Sequence, residues 1–233
     1  MSKIKILLAK GELGSFIQKY LEEKYMIKTT VGERKPELIA ERGKLLIRAV
    51  RSPDVCRYFK KLNADFGITG LDLVYDTKLQ GDNSFKILKK LDEESPPELK
   101  GRLCLLGKEN LGKEREPVVC VSEYYKNIAR TYFDNLNRRR LIDSYKLLPV
   151  FGGVEGYIAS DEADFGIDTV YSGKTLKKIN EYLGKRNKKQ IKILDNIMLT
   201  YPVIIGKPKY SFNEFESILK NAPEWTFRSI TIW

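Results

Sequence analysis

The stretch Asp168-Thr-Val-Tyr-Ser-Gly-Lys-Thr-Leu176 sets a carboxylate at the end of an apolar run, just before a small, hydroxyl-bearing turn. That combination suits a phosphate held beside a sugar. Successive backbone N–H groups of Ser172, Gly173, Lys174 and Thr175, with two hydroxyls among them, can converge on one anion at the positive end of the helix that follows. Asp168 then faces vicinal sugar hydroxyls, and a carboxylate accepting from them forms a charge-assisted pair stronger than a neutral one. The alternative is an ordinary strand, turn and helix capped by Ser172 or Thr175. A Walker A loop is disfavoured: it places four residues between its glycines, whereas six separate Gly166 from Gly173. The chain has no histidine, which removes a Ser-His-Asp triad, a Cys-His dyad and a His-ligated metal.

The spacing from Asp168 through Gly173 to Thr175 resembles the loops by which phosphoribosyltransferases hold phosphoribosyl pyrophosphate. A second signal is internal. Asn63-Ala-Asp-Phe-Gly-Ile68 and Glu162-Ala-Asp-Phe-Gly-Ile167 share five consecutive residues. Each copy follows a helix-like segment, ends in a short apolar strand and leads into a loop. The first loop is Thr69-Gly-Leu-Asp72; the second is the phosphate turn. Beyond Ile68 and Ile167 the register differs, with Val74-Tyr75 arriving three residues later than Val170-Tyr171. Two related lobes with facing loops follow, and a true duplication stays open.

The elements that must position these residues alternate. Ile4–Ala9, Lys44–Val50, Asp65–Thr69, Val118–Val121, Lys146–Val150 and Asp164–Asp168 read as short buried strands. Ser15–Glu23, Pro53–Leu62, Glu123–Leu136 and Thr175–Leu183 carry apolar residues at helical spacing, and Pro53 suits a first helical turn. Leu91–Gly101 reads as an exposed or crossing loop, Phe212–Leu219 as a further helix and Thr226–Trp233 as a last strand. Strands alternating with helices predict an α/β fold with mainly parallel sheets. The 233 residues suit one two-lobed domain or two small ones. The expected division is residues 1–99 with 182–233 as lobe I, on the nucleotide side, and 100–181 as lobe II, carrying the phosphate loop.

Forty-two Lys and Arg against thirty-one Asp and Glu give +11, which implies polyanionic company such as nucleotides or pyrophosphates. Nucleic acid is disfavoured, because the runs Arg138-Arg139-Arg140 and Lys185-Arg186-Asn-Lys188-Lys189 lack interleaved aromatics and read as solvated faces or helix C-termini. No apolar run reaches membrane-spanning length. The run Ile4–Ala9 is too short for a secretory signal, so a cytoplasmic location is expected. Cys56, Cys104 and Cys120 read as reduced core thiols.

From Lys3 to about Gly206 these residues resemble the ATP phosphoribosyltransferase family. Lys10-Gly11 is similar to the Pro-Lys-Gly-Arg opening of that family. Arg51-Ser-Pro-Asp54-Val and Ala64-Asp65-Phe-Gly67-Ile-Thr-Gly70-Leu-Asp72 resemble its Arg-x-x-Asp-Val and Ala-Asp-x-Gly-Ile-x-Gly-x-Asp segments in order and spacing. Gly153-Val-Glu155, Ala163-Asp164 and Asp168 to Leu176 resemble its phosphoribosyl pyrophosphate signature. The resemblance implies a two-lobed fold like the type II periplasmic binding proteins, with a cleft between lobes. It implies a reaction in which N1 of ATP attacks C1 of the phosphoribosyl group and displaces pyrophosphate, with Mg²⁺ held mainly through substrate.

Carried onto this chain, Ser172, Gly173, Lys174, Thr175 and Leu176 hold the 5′-phosphate, while Asp168 and Glu155 face ribose hydroxyls or the Mg²⁺-bound pyrophosphate. Lys10, Arg34 and Arg51 take ATP phosphates and the departing pyrophosphate. Gly11, Asp54, Gly67, Gly70 and Asp72 line the nucleotide side. Lys10, Arg51 and Asp168 are the implied catalytic residues. Structural alternatives stand beside these roles: Arg51 with Asp54 as a surface pair and cap, Glu155 as a first-turn residue, Gly67 and Gly70 as turns of positive φ.

The chain departs from the family pattern at Glu12, which stands where Arg is usual, and at Asp161, Thr169 and Asn180. About thirty residues follow the matched core, as in the short form of the family. That form works with a regulatory subunit resembling the catalytic core of histidyl-tRNA synthetase, and a homodimer or larger assembly is implied. The alternative is a repurposed relative that senses a nucleotide or uses another acceptor.

Overall fold

The computed structural model describes residues 3–27, 39–42, 45–109 and 116–221. The chain divides into two compact units, Met1–Leu99 with Tyr201–Trp233, and Lys100–Thr200. The first contains β1 (Ile4–Ala9), α1 (Glu12–Tyr25), β2 (Ile39–Arg42), β3 (Leu45–Val50), α2 (Ser52–Phe59), β4 (Phe66–Gly70), α3 (Leu71–Leu79) and β5 (Lys86–Lys90). The second contains β6 (Gly101–Gly107), β7 (Val118–Ser122), α4 (Lys126–Arg138), β8 (Lys146–Val150), α5 (Val154–Ala159), β9 (Phe165–Val170), α6 (Lys174–Gly184) and β10 (Lys192–Thr200). The chain then returns to the first unit as β11 (Pro202–Gly206) and α7 (Phe212–Lys220). Residues 182–200, which the sequence places with lobe I, are the end of α6 and β10, and β10 pairs with β6 in the second unit. The expected strand Thr226–Trp233 lies outside the described residues.

One sheet runs β2-β3-β1-β4-β11-β5, the other β10-β6-β9-β7-β8. Both are built on the same trio. The first strand of each, β1 or β7, pairs in parallel with the two that follow in the trio, β3 and β4 or β8 and β9. A helix follows each of these six strands. The expectation of mainly parallel sheets is corrected to mixed ones, because β11 enters antiparallel between β4 and β5, and β6 antiparallel between β9 and β10.

The repeated pentapeptide makes the same joint in each unit. Asp65 N–H donates to Lys5 O at 2.8 Å, and the Asp65 carboxylate accepts the Lys5 N–H at 3.0 Å. Asp164 N–H donates to Val118 O at 2.9 Å, and its carboxylate accepts the Val118 N–H at 2.8 Å. Each aspartate thus clasps the start of its central strand. Phe66 and Phe165 are buried beside it. A Cβ on Gly67 would stand 2.8 Å from Val55 Cγ1 of α2, and one on Gly166 2.4 Å from Val154 Cγ1 of α5. The glycines therefore let the preceding helix lie directly on the strand.

Helical spacing buries one face of each long helix: Ile17, Tyr20 and Leu21 on α1, and Ile128, Ala129, Phe133 and Leu136 on α4. α7 starts at a capping box, with Ser211 and Glu214 each accepting the other's backbone N–H. Both basic runs fall at helix C-termini: Arg138 ends α4 and Lys185 follows α6. Cations there complement the helix dipole.

Gly67→Ala and Gly166→Ala are expected to lower stability in urea unfolding by about 1–3 kcal/mol each through overpacking. Gly184→Ala, whose Cβ would meet only Gln190 at 4.0 Å, should be neutral or stabilise by up to about 1 kcal/mol. Equal effects at all three positions would contradict the assigned packing role.

Candidate active site

In both units the loops of interest leave the carboxyl ends of the parallel trio, the edge where open α/β sheets hold ligands. In the second unit β9 delivers Asp168, half-buried, with Oδ1 accepting the Thr169 N–H at 2.8 Å. Gly173 follows at φ 68°, ψ 4°, the left-handed region that glycine enters without strain. It is the N-cap of α6, and no side-chain cap closes that helix. The Lys174 N–H reaches Ser172 Oγ only at 3.5 Å, a long hydrogen bond on the exposed side. Capping by Ser172 or Thr175 therefore does not explain the turn, and Ser172, Lys174 and Thr175 face solvent. An exposed, uncapped helix start is suited to an anion.

At the end of β8, Gly152 (φ 125°) and Gly153 (φ 70°) turn the chain into α5 and bury Glu155 in its first turn. Cys120 lies on β7, between β8 and β9, and registers both carboxylates. Burial first, then the charges of Asp168, Glu162 and Glu155, pushes its thiol up to about 11. Ser122, buried at the carboxyl end of β7, joins the same edge. A hydroxyl closing an apolar run is its only trace in the sequence.

In the first unit Lys10 directly follows β1, and its N–H donates to Val50 O at 2.8 Å. Gly11 follows at φ 79°, ψ −149°, a region essentially reserved to glycine. Arg51 is the N-cap of α2, and its Nε donates to Asp54 Oδ2 at 2.9 Å. The arginine side chain is 69% exposed and the aspartate 10%. Lys10, Arg51 and Asp54 line a pocket of about 520 Å³ together with Arg48, Tyr58 and Lys61.

The other nucleotide-side expectations fall elsewhere. Gly67 is enclosed in β4, where it serves helix packing. Gly70 has φ −76°, so neither glycine makes a turn of positive φ. Asp72 is buried in the first turn of α3. Neither Gly11 nor any of these three lines the pocket. Arg34 lies outside the described residues. Glu12 is exposed in the first turn of α1, where the helix dipole favours a carboxylate. Among the described residues no cluster of three or more His, Cys, Asp or Glu could hold a metal ion by itself.

Residues 51–220 match the family described as ATP phosphoribosyltransferase. The chain belongs to that family. It is 25% identical to the ATP phosphoribosyltransferase of Brachyspira hyodysenteriae over 95% of this chain and 98% of that one. The enzyme of Helicobacter hepaticus is 27% identical over 93% of each chain. Among solved structures, the ATP phosphoribosyl transferase (HisG:HisZ) complex from Thermotoga maritima matches with a TM-score of 0.66 at 19% identity, covering 93% of each chain. That last likeness is one of fold.

All three cysteines are buried and free. Burial is the first cause of a raised thiol in each, to about 12 at Cys56, to about 11 at Cys120, and upward at Cys104. Folded thiols stay protonated where unfolded ones ionise, so the native state binds more protons and loses stability with rising pH. Urea midpoints should therefore hold steady to about pH 8 and fall from about pH 9 upward. A midpoint that rises between pH 8 and 10 would reverse the sign and contradict this burial.

Proposed function

We propose that the chain joins N1 of ATP to C1 of the phosphoribosyl group of phosphoribosyl pyrophosphate and releases pyrophosphate, the first step of histidine biosynthesis. The observation that carries this reading is the β9–α6 turn, a strand-end carboxylate followed by an uncapped helix start, in a chain of this family. The C1–N bond forms as the C1–O bond to pyrophosphate breaks. Positive charge grows on the sugar and negative charge on the leaving group, so fixed charges of the right sign lower the barrier.

Asp168 is assigned to the ribose hydroxyls, and the Ser172–Leu176 turn to the 5′-phosphate, taken on backbone N–H groups and hydroxyls. Glu155 is assigned to the ribose or to the metal-bound pyrophosphate. Lys10 and Arg51 hold the departing pyrophosphate and ATP phosphates; Arg supplies a planar pair of donors. Mg²⁺ arrives with the pyrophosphate as part of the substrate. Its preference for one or two carboxylates plus phosphate oxygens is compatible with Glu155, the carboxylate assigned beside the pyrophosphate.

A regulatory subunit resembling histidyl-tRNA synthetase and a homodimer are proposed partners, on the resemblance to the short form. No helix among the described residues is long and apolar enough to cross a membrane. Three free cysteines support the proposed cytoplasmic location, where thiols stay reduced.

Asp168→Asn and Thr175→Ala should each raise KM for phosphoribosyl pyrophosphate, since losing a hydrogen bond to a charged group costs about 1.5–3 kcal/mol, while KM for ATP and the melting temperature stay near wild type. An unchanged KM in both variants removes the loop assignment. Arg51→Lys keeps the charge and loses the fork. Its turnover should drop while stability changes by no more than about 1 kcal/mol, because the Arg51–Asp54 pair is exposed on the arginine side. Glu12→Arg should change ATP affinity only modestly; a large gain, read by titration at fixed Mg²⁺, would favour the repurposed relative instead.

A further inference from the structure

A second basic pocket lies at the amino edge of the first unit. Lys3 and Lys5 at the start of β1, Asn63 and Asp65 at the entry to β4, and Lys207, Lys209 and Tyr210 between β11 and α7 line a cavity of about 470 Å³, a size that admits a small ligand. The six residues of β1, at about 3.3 Å each, set it about 20 Å from the carboxyl edge. It is therefore separate from the candidate active site.

Its walls are fixed and its charge is not balanced. Tyr210 N–H donates to Lys207 O at 2.9 Å, closing a turn whose second residue, Pro208, is set for it. The Tyr210 ring packs on Phe66 with centroids 4.7 Å apart. Lys207 Nζ donates to Asn63 Oδ1 at 2.7 Å and to Asp65 Oδ1 at 2.8 Å, while Asp65 Oδ2 takes the Lys5 N–H. Asp65 is the one carboxylate in the lining, and Lys207 neutralises it. Lys5 Nζ meets only a carbonyl, Leu62 O at 3.3 Å, and Lys209 Nζ the Tyr210 ring at 4.7 Å from its centroid. Among the described residues neither ammonium is paired with a carboxylate. Glu214, whose charge Lys209 feels, is committed to the capping box of α7.

The second unit shows what the joint itself requires. Gly206 aligns with Phe66 and Gly107 with Phe165, so Lys108 is the counterpart of Lys207, and it pairs with Asp161. The two clasps set Val118 against Lys5. Counted from them, Glu116 and Glu162 stand where the first unit has Lys3 and Asn63. One lysine serves the joint in both units; the extra cations belong to the first alone.

We propose that this pocket binds a compact, multiply charged anion of the phosphate class, a pyrophosphate or a phosphate ester, on the Lys3, Lys5 and Lys209 ammonium groups. Every cation in the lining is a lysine, a point charge with three rotatable donors and no planar fork. Such a set selects charge density over planar shape. The bound anion ties the start of β1 to the turn after β11 and stabilises the folded first unit by mass action.

Calorimetric titration with inorganic pyrophosphate, without divalent metal, tests this on wild type, Lys5→Gln/Lys209→Gln and Lys185→Gln/Lys192→Gln. Lys185 and Lys192 are exposed in the second unit, so the last variant removes the same charge elsewhere. Wild type should bind at two sites, the candidate active site and this pocket. The Lys5/Lys209 variant should keep one and weaken the other at least about tenfold, while the Lys185/Lys192 control keeps both. Lys209→Gln alone changes only an exposed side chain and should weaken the same site at least about threefold, whether or not the double variant folds. A single site in wild type, or equal weakening in the control, overturns the proposal. Citrate bound at this site as tightly as pyrophosphate overturns the phosphate class.

Discussion

Two aspartate clasps hold the architecture. In each unit one carboxylate and its own backbone N–H close on the first residues of the central parallel strand. Hydrogen bonds to a charged group contribute about 1.5–3 kcal/mol, and here they also set register: Phe66 aligns with Ile6, and Phe165 with Val119. With the amino edge pinned, the strands of each trio end together at the opposite edge. Lys10, Arg51 and Gly70 emerge there in one unit, Ser122, the Gly152-Gly153 turn and Asp168 in the other. Asp65 is further neutralised by Lys207 at 2.8 Å, so its charge is spent on structure.

The same frame carries opposite chemistry in its two copies. The second unit offers left-handed glycines, carboxylates and an open helix start; the first offers cations around a single carboxylate. A glycosyl transfer with a phosphate leaving group builds positive charge on a sugar and negative charge on pyrophosphate. Carboxylates suit the first of these charges and cations the second, without any proton carrier. A chain with no histidine is adequate for such a reaction.

The parallel strands were legible because each is a short apolar run bounded by turn residues, and Ile4–Ala9 and Lys146–Val150 occur with the expected bounds. The antiparallel partners were not. β10 carries register shifts between Ile193 and Asp195 and between Asn196 and Met198, which break the two-residue alternation that marks a strand. β5, Lys-Ile-Leu-Lys-Lys, exposes its charged ends and reads as loop. α3 follows β4 with no residue between, so no boundary signal precedes it. In the candidate site, the β9–α6 turn was readable because glycine, hydroxyls and carboxylate fall close together in the chain. Arg48, Tyr58 and Lys61 were not, since a mixed polar helix face looks like a solvated one until the facing strand is known.

The central claim is that the second unit presents a phosphoribosyl group for attack by the base of ATP. Mass spectrometry of the product, alongside pyrophosphate release across a panel of acceptors, tests it most directly. The account predicts release that requires ATP and a product with the mass of ATP plus one phosphoribosyl group. Release with a different acceptor and none with ATP, or binding of both ligands without any adduct, would contradict it.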